Sequence, residues 1–296
     1  MSTSRSPRGY ALVTPARDER ENLERLAASL LAQTVLPDAW VVVDDGSVDG
    51  TRELAASLAA EHPWIHALSS PGSESVGGAL AEGRGVGRDV IAFNAGIAAL
   101  EAPSDLVLKL DADVSLDPDY FERLLEVFAA EPRLGIAGGV CLELEKGRWT
   151  PQRVSAGHVR GAVRAYRWEC FCAVTPLVER LGWDGIDEIK ARTLGWQTRS
   201  IEGLAFRHHR KLGSRDGRRR TWAGQGEAAF YMGYRPTYLA LRSLLHMRRD
   251  VTAVAMAYGY LRCWVRRAPR HDDADVVRQL RAEQRRALRR LAFRRP

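Results

Sequence analysis

Three short, almost wholly apolar runs stand out in the first 110 residues: Tyr10-Ala-Leu-Val-Thr14, Trp40-Val-Val-Val43 and Leu106-Val-Leu-Lys-Leu110. Each is too short for a helix and ends in turn-forming or acidic residues, the pattern of a strand buried on both faces. Between them the apolar spacing changes. Leu23, Leu26, Leu30 and Leu31 recur at helical intervals within Glu21–Gln33, and Pro37 bars any continuation of the helix. Thr51–Ala60 predicts a second helix, with Asp49 or Thr51 available as its cap, and Val90–Leu100 predicts a third. Strands alternating with helices at this spacing predict an α/β fold: a mixed, mostly parallel sheet flanked by helices. In such sheets ligands bind outside the carboxyl ends of the strands, where the acidic loops of this chain fall.

Beyond Ala137 the pattern loosens. Gly138–Leu144 and Gln197–Ile201 read as strands, and Tyr238–Met247, Val251–Val265 and Ala274–Leu291 as helices. The Gly- and Arg-rich piece from Lys211 to Gln225 reads as a mobile loop or lid. The expected organisation is a main domain over 1–210, a flexible basic loop over 211–235 and a basic helical extension over 236–296. Charge sharpens the division. Residues 1–206 hold 21 Lys/Arg against 30 Asp/Glu, whereas residues 207–296 hold 23 against 7. Cys141, Cys170, Cys172 and Cys263 lack paired metal-site spacing and read as reduced thiols. Met1–Arg8 has no apolar core of a signal peptide. The longest apolar stretch, Val251–Tyr260, falls well short of the roughly 20 residues of a membrane span. The expected location is cytoplasmic, with the inner membrane face as an option for the basic end.

Chemistry concentrates at the strand ends. Asp111-Ala112-Asp113 follows a buried strand, and two carboxylates one residue apart project to the same side. They can hold a divalent cation and a ribose hydroxyl, and Mg²⁺ or Mn²⁺ suits such hard oxygen ligands. Thr14-Pro15-Ala-Arg17-Asp-Glu19 leaves the first strand, and Asp44-Asp45-Gly-Ser leaves the second. Together they form either a pocket able to accept from a nucleobase N–H or two capped turns.

Asp44-Asp-Gly-Ser-Val-Asp-Gly-Thr51, read with the Thr-Pro-x-x-x-Glu opening and the later Asp-x-Asp, resembles family 2 of the glycosyltransferases. The resemblance covers about Tyr10 to Phe128, with sparser matches through Arg210. It implies the GT-A fold, with a nucleotide-binding half over 1–130 and an acceptor half over 131–210. It also implies inverting transfer of a sugar from a nucleotide donor, a UDP-sugar, to a glycan or lipid-linked acceptor in surface polysaccharide or glycolipid synthesis. By the same resemblance Thr14, Pro15, Arg17, Glu19, Asp44 and Asp45 line the nucleotide, Asp111 meets the ribose and Asp113 holds the metal. Arg88 matches a basic residue near diphosphate or base, or is an ordinary helix-surface arginine.

The general base is expected in Gly182-Trp-Asp-Gly-Ile-Asp-Glu-Ile-Lys190, with Asp187 first, then Glu188 or Asp184, the last also a candidate acceptor contact. This segment departs from the family's usual acidic motif, and Asp187 and Glu188 also fit as acids in a helix's first turn. Arg160 and Trp168 are expected to touch the acceptor, although Trp168 and Tyr166 equally suit a core. His208 is a candidate metal ligand, and Arg207, Arg210, Lys211 and Arg215 a lid over the diphosphate.

Arg278, Arg281, Arg285 and Arg289 recur at helical spacing near Leu280, Leu288 and Leu291. This helix is solvated, packed between subunits against the acidic half, or a peripheral contact with anionic lipid. A nucleotidyltransferase is disfavoured, because Thr14–Glu19 lacks the Gly-rich loop that cradles a triphosphate. Acidic strand ends disfavour nucleic acid as a partner. A degenerate, non-catalytic transferase fold that binds membrane or nucleic acid through its tail is the remaining alternative.

Overall fold

The computed structural model describes residues 9–71, 87–101, 104–152, 157–210 and 217–293, with Pro7 and Val154 besides. Strands β1 (Tyr10–Ala16), β2 (Ala39–Asp44), β3 (Ile65–Ser69) and β4 (Leu106–Leu110) are parallel neighbours. They continue into β5 (Val114–Leu116), β6 (Leu134–Glu145), β7 (Arg148–Pro151), β8 (Val163–Arg167) and β9 (Gln197–His208). The sheet order is β3-β2-β1-β4-β8-β6-β9-β5, with β7 paired to β6.

Period-two alternation divides the core between the two faces of the sheet. Leu12, Trp40, Val42, Leu106 and Leu108 face helices α1 (Arg20–Leu31), α2 (Thr51–Glu61) and, past α3, α4 (Tyr120–Ala130), where Leu23, Leu26, Leu30, Phe121 and Phe128 are buried. Val13, Val41, Val43 and Val107 face the other way, against Val90 and Phe93 of α3 (Arg88–Ala98). Gly96 makes that contact possible, because a Cβ there would stand 2.3 Å from Val13 Cγ1.

Two antiparallel pairings decide what reaches the carboxyl end of β4. Strand β8 runs against β4 with Val163 opposite Leu110 and Arg167 opposite Leu106. Residues just before Val163 therefore lie at the ligand end and residues after Arg167 at the far edge. Strand β5 runs against β9 with Val114 opposite His208, which sets the end of a long strand beside Asp113.

Helices α5 (Trp168–Val174) and α6 (Trp183–Thr193) lie between β8 and β9 in the chain, and α7 (Arg218–Tyr231), α8 (Pro236–Met247), α9 (Val254–Val265) and α10 (Ala274–Phe293) follow β9. The expected mobile loop is corrected here. From Arg218 onward the segment is helix α7, while Lys211 and Arg215 lie outside the described residues. Gly226, just past the expected mobile loop, is a helix-contact residue: a Cβ there would stand 2.0 Å from Met256 O of α9. The apolar side of basic helix α10 is also occupied. Val276 and Leu280 pack with Met232 on Ile186 and Ile189 of α6. Among the described residues no helix is long and apolar enough to cross a membrane.

Candidate active site

The first three buried strands of the sequence pattern deliver their acidic loops to one edge. Asp45 N–H donates to Ala16 O at 2.8 Å, tying the end of β2 to the end of β1. Asp44 accepts from Ser47 N at 3.1 Å and from Arg52 Nε at 3.0 Å, so its carboxylate both shapes the turn and carries a counter-charge. Asp45 is clasped by Arg88, whose Nε donates at 3.1 Å, with Arg17 Nη1 4.0 Å away. Arg88 thus reaches back from the first turn of α3 to the nucleotide-side loop. Glu19 N–H donates to Thr51 Oγ1 at 2.8 Å, joining the opening loop to the Asp44–Thr51 run. Thr14 is drawn inward instead: it is fully buried and its Oγ1 accepts from Trp40 Nε1 at 2.9 Å. Pro15 is partly exposed at the end of β1.

Below the Asp-x-Asp turn lies a lysine that the sequence pattern hid inside a strand. Lys109 is buried, bridges to Asp111 and stands 3.7 Å from Asp89 Oδ2. It holds the half-exposed Asp111 carboxylate at the carboxyl end of β4. Asp111 N–H in turn donates to Ala162 O at 2.8 Å, which brings the 158–162 segment against the turn.

Asp113 meets His208 at the start of β5. His208 Nε2 is 3.2 Å from Asp113 Oδ1, and its Nδ1 faces Glu143 Oε1 at 3.9 Å. The register requires this, since His209 N–H donates to Asp113 O at 2.8 Å. Burial opposes a charged imidazole here, but hydrogen bonds to Asp113, Cys141 and Glu143 raise its pKa to about 11. Positive charge is what the surrounding acids call for, and a cation held by the imidazole would take the place of its proton. Cys141, Glu143 and His208 also gather their ligand atoms within 4.8 Å. A carboxylate and an imidazole converging on one point, with a second carboxylate behind the imidazole, fit a divalent cation. Glu143, which sequence reasoning passed over, faces both His208 and Arg160, whose Nη1 is 3.7 Å away. Arg210 closes the opening side, donating to Glu19 Oε1 at 2.7 Å with Asp113 Oδ2 at 3.4 Å.

The acidic segment of α6 resolves differently from its expected use. Asp187 and Glu188 are 2% and 3% exposed. Both are committed to Arg164, itself fully buried: Nη2 donates to Asp187 Oδ1 at 2.6 Å and Nη1 to Glu188 Oε1 at 3.0 Å. Tyr166 hydroxyl donates to Asp187, and Val159 N–H to Glu188 Oε1 at 2.6 Å. Burial, countered by Arg164 and reinforced by Glu188, pushes Asp187 up to about 7. Burial also acts on Glu188, but Arg164, His158 and Val159 N–H hold it below the usual carboxylate range. These carboxylates sit under the site and position the 158–162 segment. They are not open to an acceptor, which corrects the expectation that Asp187 or Glu188 faces it. Asp184, one turn earlier, is part-exposed in the first turn of α6, and its Oδ2 would be 3.7 Å from a Cβ on Gly161. It is the acid of this segment that faces Gly161, next to the Ala162 carbonyl that accepts from Asp111 N–H.

Trp168 is a second correction. The antiparallel β8 carries it to the far edge, where its N–H donates to Asp105 O and its ring stacks on Phe171 with centroids 5.7 Å apart. It stands at the end of β4 opposite to Asp111. Arg160, before β8, is at the site.

A profile of "Glycosyl transferase family 2" matches residues 11–173. Among curated proteins the chain is similar to the succinoglycan biosynthesis protein ExoA of Rhizobium meliloti, 34% identical over 116 residues, covering 39% of this chain and 31% of that protein. It is also similar to the undecaprenyl-phosphate mannosyltransferase of Micrococcus luteus, 35% identical over 114 residues, 38% of this chain and 42% of that one. The aligned part is thus less than half the length of either relative. Among solved structures it resembles the mannosyltransferase PcManGT from Pyrobaculum calidifontis in complex with GDP-Man and Mn²⁺. The TM-score is 0.60 at 15% identity, over 98% of this chain and 82% of that one. TarS of S. aureus in complex with UDP-GlcNAc gives 0.53 at 16% identity, over 75% and 66%. These likenesses show the GT-A fold. With the profile spanning more than half of its 296 residues, the chain belongs to glycosyl transferase family 2.

Proposed function

We propose that the protein is an inverting, divalent-metal-dependent glycosyltransferase that moves a sugar from a nucleoside diphosphate to an acceptor hydroxyl. The product is surface polysaccharide or glycolipid. The observation that carries this reading is the convergence of Asp113 Oδ1 and His208 Nε2, 3.2 Å apart, beside Asp111 and the arginine-clasped Asp45. The relatives that make succinoglycan or mannosylate undecaprenyl phosphate support the product class, and the GDP-Man and UDP-GlcNAc complexes support the donor class.

In this reading Asp44 and Asp45 receive the base, with Arg17 and Arg88 orienting Asp45, and Asp111 receives a ribose hydroxyl. Thr14 and Pro15 shape the pocket through the backbone, and Glu19 holds Arg210 over the diphosphate. Asp113 and His208 would hold Mg²⁺ or Mn²⁺, which neutralises charge on the departing diphosphate. Asp184 takes the proton from the acceptor hydroxyl. That oxygen forms its bond to the anomeric carbon as the bond from the same carbon to the diphosphate oxygen breaks. Attack from the opposite face inverts the configuration. Arg210 stabilises the leaving oxygens, and Arg160 orients the acceptor.

The test incubates the protein with Mn²⁺ and a panel of UDP- and GDP-sugars, with polyprenyl phosphate and oligosaccharide acceptors, and reads the anomeric configuration of the product by NMR. A product of inverted configuration is expected. Retained configuration overturns the single-displacement mechanism, and no turnover or binding of any donor overturns the transferase reading.

A further inference from the structure

Helix α9 is apolar on the side that faces solvent. Its inward residues Met256, Gly259 and Tyr260 pack on Ala229 and Phe230 of α7 and Leu239 of α8. Gly259 lets the helices touch, because a Cβ there would stand 2.1 Å from Ala223 O. The opposite stripe runs Val254, Tyr258, Leu261 and Val265, spaced four, three and four residues apart as one face of a helix requires. Their exposures are 54%, 62%, 54% and 67%, and Trp264 beside them is 59% exposed. A soluble helix places charge on this side. Here the one charged side chain of α9 is Arg262, which is paired with Glu227.

Charge instead brackets the stripe. Exposed Arg248 and Arg249 precede it, and exposed Arg266 and Arg267 follow it. From Arg235 to Arg270 the sequence holds eight arginines and one acid, Asp250, which is engaged by Trp222 Nε1 at 3.1 Å and by Thr252 N–H at 3.0 Å. We propose that the outward face of α9 docks on an anionic lipid bilayer. Tyr258, Leu261, Trp264 and Val265 enter the boundary between headgroups and acyl chains, and the four flanking arginines meet lipid phosphates.

The chemistry selects this occupant. An apolar stripe with aromatic residues and cations at both ends is the pattern of a helix lying in a membrane interface. The helix is too short to span, which restricts it to lying on the surface. Pairing with a second copy of the same face sets arginine against arginine whether the helices run parallel or antiparallel, a like-charge cost. Nucleic acid has no use for the apolar stripe. The docking face is also distinct from α10, whose apolar side is already packed on α6. Membrane docking is independent of the catalytic reading, and its test reads binding alone.

The test is co-sedimentation of the full chain with vesicles of neutral phosphatidylcholine and of phosphatidylcholine mixed with anionic phosphatidylglycerol. Wild-type protein is expected to pellet with the anionic vesicles and far less with the neutral ones. Combined Tyr258→Ser, Leu261→Ser and Trp264→Ser lowers the partition coefficient about tenfold or more, because the inserted apolar area is gone. These side chains are exposed, so circular dichroism of the variant is expected to match wild type. Should that variant misfold, Arg266→Glu with Arg267→Glu tests the same face through charge, and is expected to abolish the preference for anionic vesicles. Wild-type protein that ignores anionic vesicles overturns the proposal, as does a folded serine variant that binds like wild type. A wild-type dimer in light scattering that the serine variant dissociates, without vesicle binding, assigns the face to self-association and also overturns it.

Discussion

Replacing Arg164 with methionine removes one guanidinium that serves two buried carboxylates. In the folded protein its nitrogens reach both oxygens of Asp187, one oxygen of Glu188, and the carbonyls of Val159 and Asp184. Methionine fills most of the volume but returns no donor. The change leaves two acids at 2% and 3% exposure without their shared cation. Breaking a buried ion pair on one side costs about 3–5 kcal/mol, set against a typical total stability of about 5–15 kcal/mol. Arg164 pulls both acids down, but burial still holds Asp187 up at about 7, so the wild-type stabilisation comes from Glu188. Its lowered pKa stabilises the wild-type fold above the ordinary carboxylate range, and that stabilisation is lost as pH falls through the lowered value. In Arg164→Met the two acids keep only their other hydrogen bonds and lose their shared cation, which raises both and makes ionisation costly. The gap between wild type and variant is therefore wide near about pH 8 and narrows toward about pH 5, near the ordinary carboxylate range. Urea denaturation at the two pH values measures it, with Arg164→Lys as an intermediate that keeps charge but loses the fork. A loss below about 1 kcal/mol, the range of an exposed ion pair, or a loss equal at both pH values refutes the reasoning.

Asp184→Asn is expected to lower sugar transfer about 10²–10⁴-fold while donor affinity in calorimetry stays unchanged, as removal of a general base predicts. Trp168→Ala is expected to leave the acceptor KM unmoved and to cost up to about 3 kcal/mol in denaturation, because the ring packs at the far edge of the sheet. Gly259→Val drives side-chain carbon into the backbone of α7. A cost of about 1–3 kcal/mol is expected, read as a lower melting temperature, and a neutral result would mean that the helices do not cross there.

The first 110 residues were legible because buried parallel strands announce themselves as apolar runs and their ends as acidic turns. Val41 and Val43 face one layer and Trp40 and Val42 the other, yet all four had to be apolar. The acceptor side was less legible for three physical reasons. An acid near the start of a helix has the same local sequence whether solvent or a buried arginine receives it, so the sequence put Asp187 ahead of Asp184. Only Arg164, sharing a strand face with Tyr166 inside β8, carried a signal of the buried network. Trp168 was misplaced because sequence distance from His158 says nothing about the reversal of β8 against β4. Helix α7 was missed because its Gly and Arg content reads as flexibility, whereas Gly226 serves close helix contact, a tertiary property that composition does not show. Lys109 was passed over because the apolar run around it conceals the buried ion pair it makes with Asp111.

The central claim is that Asp113 and His208 form a metal-assisted nucleotide-sugar site. Titration calorimetry of UDP and GDP, each with Mn²⁺ and with chelator, tests it in wild type, Asp113→Ala and His208→Ala. Wild type is expected to bind one nucleoside diphosphate at least about tenfold more tightly with Mn²⁺, a difference of about 1.4 kcal/mol, and both variants are expected to lose that enhancement. Undiminished Mn²⁺ enhancement in both variants contradicts the account.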